Sequence, residues 1–130
     1  MNNNIFKILE YFYYFSLVIL FILYLYPGSL IGYLFYGNLS QQPDLISNPI
    51  GTSINHLISF ICLSSLAFIV RVREKKFINS FQFLFLISIL FEILHNFIPN
   101  RAFEYYDLLA NIIGVVLAYL VIKLILKKKI

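Results

Sequence analysis

Four long apolar runs separated by polar links organise this chain: Ile8–Tyr26, Ile54–Val70, Phe77–Ile98 and Leu108–Leu126. Each is at or near the roughly 20 residues that a helix needs to cross a bilayer's hydrocarbon core. The pattern predicts an all-α integral membrane protein, a bundle of four transmembrane helices. Tyr and Phe crowd the start of the first run, as in the aromatic belt of a membrane interface. That run is too long for the core of a signal peptide, and Pro27-Gly28-Ser29 follows it where a small-x-small cleavage site would be needed. The one long connection is the stretch 27–53. Within it Leu30 to Tyr36 (LIGYLFY) is too short to span and predicts an interfacial or re-entrant piece lying against the bundle.

Composition closes off the alternatives. In 130 residues, 61% are apolar and only 12% are charged, with a mean hydropathy of +0.85. Small soluble domains carry about 25% charged residues and bury only about two-thirds of their surface, so a soluble fold is excluded. The spans use up nearly all the apolar residues, which predicts a single membrane domain over 1–130 with no independent extramembrane unit. Cys62, the only cysteine, cannot form an intrachain disulfide and reads as packing.

Charge sets the expected orientation. Lys7, Arg71, Arg73, Lys75, Lys76, Lys123, Lys127, Lys128 and Lys129 fall on one side of the four spans, and Arg101 alone falls on the other. Basic residues are retained in the cytoplasm, so both termini are expected there. This asymmetry accounts for the net charge of +4 as a topology signal touching anionic lipid, and no nucleic-acid partner is expected.

Against that background the polar residues inside the spans stand out, because each costs a few kcal/mol on insertion scales and usually faces a bundle interior or an aqueous pocket. His56 lies just inside the second span. Glu92, His95 and Asn96 occupy the last turns of the third, and Asp107 and Asn111 open the fourth. All fall on the predicted outer side. Glu92 precedes Ile98 by six residues, about 9 Å of helix. Ser88, Glu92 and His95 recur at i, i+4 and i+7, and Asp107, Asn111, Gly114 and Ala118 at i, i+4, i+7 and i+11, so each set forms one stripe. Gly114-x-x-x-Ala118 reads as a helix-packing contact. Arg101 follows the helix-ending Pro99, and a folded-back link is expected to set its guanidinium over Glu92 or Asp107, as a structural salt bridge or as a ligand clamp.

The run from Glu92 to Gly114 (EILHNFIPNRAFEYYDLLANIIG) resembles the signature of the VanZ-like membrane proteins, a family named for a teicoplanin-resistance protein. The matching positions are Glu92, His95, Pro99, Arg101, Asp107, Asn111 and Gly114, and Asn55-His56 with Phe60 is similar to a second motif. The resemblance covers residues 52 to 120 and implies a bacterial cytoplasmic membrane, a multi-pass topology and a role in the cell envelope. Two departures stand out. The family's usual Asp-Lys pair before the His motif is Thr52-Ser53 here, and the residue at 95 is His where Gln is common.

Two chemistries fit these residues. The favoured one is a binding module: His56, Glu92, His95, Arg101, Asp107 and Asn111 form an outer pocket for a lipid headgroup or a lipid-linked envelope precursor, with an effect on glycopeptide sensitivity. The other is a membrane-embedded hydrolase or transferase acting on a lipid or glycan, with Glu92 and His56 sharing acid and base duties and Ser53 or Ser59 as nucleophile. No cofactor or metal is expected. A metal held by Glu92-x-x-His95 with His56 and Asp107 is disfavoured because the motif is short and the family's Gln at 95 would ligate poorly. Transport is disfavoured by the small number of helices, and a homo-oligomer is left open.

Overall fold

The computed structural model describes residues 3–126, and all the regular secondary structure across them is helical. Lys127, Lys128 and Lys129 of the predicted basic side lie outside the described residues. Helix α1 runs Asn3–Leu25, the short α2 Leu30–Tyr36, α3 Ser53–Arg71, α4 Phe81–Leu94 and α5 Tyr105–Leu126. Three of these, α1, α3 and α5, are long and apolar enough to cross a membrane. The third predicted span differs from expectation. Ser80 adopts an extended backbone and accepts a hydrogen bond from the Phe83 amide, which starts α4 at Phe81 and leaves Phe77–Asn79 as a separate 3-10 turn. At its other end the helix tightens into a 3-10 turn at His95–Phe97, so the apolar helical stretch Phe81–Phe97 is about 25 Å long. α1 and α5 begin a few residues earlier than their apolar runs suggested.

The predicted interfacial piece 30–36 is a helix of two turns. Ser29 caps it by accepting from the Gly32 amide, while Tyr33, Leu34, Phe35 and Tyr36 are exposed. Its Gly32 is a close approach: a Cβ there would stand 1.6 Å from the Gln41 carbonyl oxygen, so the returning chain lies directly against α2.

α3 and α5 pack along most of their lengths, and α1 and α4 lean on that pair. The interior is built from Phe60, Leu63, Ala67 and Phe68 of α3, Val115 and Ala118 of α5, Leu17 and Leu20 of α1, and Leu84, Ile87 and Phe91 of α4. Gly114 permits the α3–α5 contact, since a Cβ there would come within 2.8 Å of Phe60 Cβ and 2.9 Å of the Leu57 carbonyl oxygen. The outward faces are apolar too. Ile8, Tyr11, Phe15, Val18 and Ile22 of α1 and Leu117, Leu120 and Leu124 of α5 are exposed, the pattern of helices solvated by lipid. Lipid tails are as apolar as Leu, so these helices are held together by close packing and by the polar contacts at the two ends of the bundle.

At the end carrying the α1 N-terminus, the link 72–80 is tied down by its own charges and amides. Lys76 Nζ lies 2.8 Å from Glu10 Oε1, and Arg71 donates to the Lys76 carbonyl at 2.8 Å and to Asn79 Oδ1 at 3.2 Å. The hydrogen bonds it donates to Glu10 and Tyr14 push the Lys76 ammonium up from its ordinary value, so it stays charged throughout the neutral range. Tyr13, fully buried, donates to the Ile78 carbonyl. The opposite end brings together the C-termini of α1 and α4 and the N-termini of α3 and α5, where the intramembrane polar residues collect.

Candidate functional site

Helices α1, α3, α4 and α5 each supply one polar turn to this end of the bundle. From α3 come Ser53, Asn55 and His56; from α4 and its terminal 3-10 turn Ser88, Glu92 and His95; from α5 Asp107 and Asn111; and from α1 Tyr24. All are buried, Glu92 and Asn111 to 0% exposure. The two stripes predicted by helical spacing therefore face each other across the interior.

The contacts form a connected set. His56 Nε2 lies 3.3 Å from Asp107 Oδ2, and His56 Nδ1 3.3 Å from Asn111 Oδ1. Ser53 donates its hydroxyl hydrogen to Asp107 Oδ1. Asn111 donates from Nδ2 to the Ser88 carbonyl at 3.3 Å and accepts from the Tyr24 hydroxyl at 3.1 Å. Because a carbonyl only accepts, the first of these fixes the amide's orientation and leaves Oδ1 facing the imidazole. His95 Nδ1 lies 3.3 Å from Glu92 Oε2, its Nε2 donates to the Tyr24 carbonyl at 3.0 Å, and the Glu104 amide donates to Glu92 Oε1 at 2.9 Å. The Tyr24 ring stacks on His95, with centroids 5.9 Å apart, and meets His56 edge-on at 5.0 Å.

Tyr24 was not anticipated. The first span carries tyrosines and phenylalanines throughout, and nothing in that run separates the one that turns inward beside Pro27. Asn55 does different work from the cluster: its amide donates to the Pro43 carbonyl at 2.8 Å and accepts from the Leu45 amide at 3.2 Å, fastening the chain that links α2 to α3 onto α3.

Two expectations change. Arg101 does not sit in a salt bridge with Glu92 or Asp107. It reaches the C-terminus of α1, donating from Nη2 to the Leu23 carbonyl at 2.7 Å and from Nε to the Tyr26 carbonyl at 3.4 Å. Those carbonyls lack partners within their helix and carry the negative end of its dipole, so they compete for the guanidinium. Among the described residues Arg101 makes no ion pair. Burial pushes it down from its ordinary value, Tyr24, Glu92 and Asp107 pull it back, and an arginine so placed stays cationic. Asn96, which precedes the helix-ending Pro99, is exposed and outside the cluster, because the 3-10 turn rotates it away from the face shared by Glu92 and His95.

Above the cluster lies a cavity of about 330 Å³ whose walls carry Gln42, Thr52, Arg101 and Glu104 and which reaches His95 and Asp107. Partial burial, then the charges of Asp107 and Glu92, push the Glu104 carboxyl up from its ordinary value. A smaller space of about 60 Å³ beside Tyr24 and His56 also borders Arg101. On the flank of the bundle an apolar groove of about 200 Å³ runs between α3 and α5, from Ser53 and Tyr106 past Leu57 to Ile113.

Chemically, the cluster is two imidazole–carboxylate pairs sunk beneath a polar cavity that holds one guanidinium. The Ser53 hydroxyl is engaged with Asp107, a carboxylate that also pairs with His56. No curated protein and no solved structure matches this sequence significantly. A family model described as VanZ/LLP1 matches residues 8–126, a match that includes every residue of the cluster. By this match over nearly its whole length, the chain belongs to the VanZ/LLP1 family.

Proposed function

We propose that this protein is a four-span protein of the bacterial cytoplasmic membrane, with both termini cytoplasmic, whose outer cavity binds the anionic headgroup of a lipid or lipid-linked envelope precursor. The observation that carries this reading is the pairing of the Arg101-bordered polar cavity with the apolar groove between α3 and α5. The two meet at neighbouring residues: Ser53 edges the groove and donates to Asp107, which borders the cavity. A molecule with a charged head and a hydrocarbon tail matches that adjacency, with phosphate against Arg101 and a chain along Leu57 and Ile113. The orientation is supported by the placement of Arg71, Arg73, Lys75 and Lys76 at the end away from the cavity. Sequestering such a precursor would alter sensitivity to glycopeptide antibiotics, which act on the same class of molecule.

Native mass spectrometry of the detergent-purified full chain, offered a polyprenyl phosphate, a phosphatidylglycerol and a phosphatidylcholine, tests the reading. Selective retention of the phosphate-bearing anions, reduced about tenfold in Arg101→Gln as expected for loss of a charge-assisted contact, supports it. Identical lipid retention by the variant and the wild type rejects it.

A second reading, a hydrolase or transferase acting on a lipid or glycan, is favoured by the two imidazole–carboxylate pairs, in which His56 and Glu92 have the composition of an acid–base couple. It requires turnover. The same spectra would then show a lipid product in the wild type that His56→Ala does not form.

A further inference from the structure

The inner cluster contains a mismatch of hydrogens. Asn111 Oδ1 is held as an acceptor, so the His56 nitrogen facing it, Nδ1, carries the hydrogen of a neutral imidazole. His56 Nε2 is then a bare lone pair 3.3 Å from Asp107 Oδ2. The second pair repeats the problem. His95 Nε2 donates to the Tyr24 carbonyl, which leaves the Nδ1 lone pair 3.3 Å from Glu92 Oε2. That oxygen is fully buried and has no hydrogen-bond partner. Two lone pairs cannot be left facing each other in an interior, so each contact needs a proton or a shared cation between its two atoms.

Either two protons or one divalent cation balances them. Two protons, each held by a carboxyl or an imidazole, would close the two contacts one by one. One cation serves both carboxylates at once. One ligand atom from each of His56, Glu92 and Asp107 lies within 4.8 Å of the others. An ion equidistant from three atoms at that limit stands about 2.8 Å from each, so inward shifts of about 0.6–0.8 Å bring them to zinc-bond length.

We propose that His56, Glu92 and Asp107 bind a first-row divalent metal ion such as Zn²⁺ or Mn²⁺, with His95 as the group that orients Glu92. The outward atom of each side chain is already occupied: His56 Nδ1 by Asn111, Asp107 Oδ1 by Ser53, Glu92 Oε1 by the Glu104 amide and His95 Nε2 by the Tyr24 carbonyl. That is the outer shell that fixes tautomer and orientation in metal centres. Imidazole with carboxylate and no thiolate selects a borderline ion over Ca²⁺ or Mg²⁺. Asp107 also borders the outer cavity, so the ion would have a route from the outside. This site stands on the four side chains and needs no lipid to be present.

The full chain, purified in detergent without chelator, is analysed for metals by mass spectrometry, and its thermal midpoint is followed during chelation and re-addition of Zn²⁺ or Mn²⁺. The expected result is about one ion per chain, a midpoint lowered by chelation and restored by the ion, and metal content at background in His56→Ala. Ser53→Ala, which keeps every ligand, should weaken Zn²⁺ binding by about tenfold or more, and it serves should His56→Ala fail to fold. The proposal is overturned if wild type holds no first-row metal and neither ion moves its midpoint, since two protons then fill the site. It is equally overturned if His56→Ala and Ser53→Ala bind the ion as tightly as wild type. None of these readouts involves lipid, so they fail or succeed independently of headgroup binding.

Discussion

Asn111 meets three partners at once, the Ser88 carbonyl, the Tyr24 hydroxyl and the His56 ring, from three different helices. Leucine in its place would fill a similar volume and remove all three contacts from a dry interior, leaving the Tyr24 hydroxyl and His56 Nδ1 without their partner. Replacing it, Asn111→Leu, should lower stability by about 1–3 kcal/mol, read as the midpoint of unfolding in detergent. Tyr24→Phe keeps the aromatic wall against both imidazoles and removes a single hydrogen bond, so it should cost about 0.5–1.5 kcal/mol in the same measurement. Equal losses for the two variants would mean that the amide does not tie three helices together. Asn111, Asp107, Glu92, His95 and His56 were legible in the sequence because a polar side chain inside an apolar run is conspicuous there. Tyr24 was not, because an amphipathic aromatic suits lipid, interface and interior alike, and its role comes from neighbours 87 residues away. Arg101 was legible as a residue and misjudged in partner, since the carbonyls that hold it are backbone atoms that no sequence pattern displays.

At the scale of helices, the α3–α5 contact depends on one missing side chain. Gly114→Val would drive methyl groups into Phe60 Cβ and the Leu57 carbonyl, both on a rigid neighbouring helix. The expected cost is about 1–3 kcal/mol, with Gly114→Ala less damaging, checked by thermal unfolding of the purified variants. A Val variant as stable as wild type would show that the helices separate freely there. The positions of the four apolar runs were readable from hydropathy, because length and composition alone decide where a helix can lie in lipid. The ends of α4 were not. Ser80 starts the helix by capping it with its side chain, and the 3-10 turn at His95–Phe97 arises where the chain tightens ahead of Pro99. Both are local geometries that an apolar run passes over without interruption.

For the molecule as a whole, the proposed orientation can be tested with the only native thiol removed. In a Cys62→Ala background, Asn48→Cys should react with a membrane-impermeant maleimide in intact cells, and Glu74→Cys only after the membrane is opened. The opposite labelling pattern would invert the protein and put the cavity in the cytoplasm. The proposed four-span arrangement would give the short apolar stretch Phe81–Phe97 a mechanical role. At about 25 Å it falls short of a hydrocarbon core of about 30 Å, whereas α1 and α5 do not. With α4 spanning as proposed, lipid beside it would dip to meet it, and one of its two ends holds Glu92 and His95. The bilayer would then be thinnest beside the buried cluster, so that a headgroup could approach it sideways from the plane of the membrane as well as from above. Membrane thickness, and with it the length of the surrounding acyl chains, would thus set how far such a headgroup must climb.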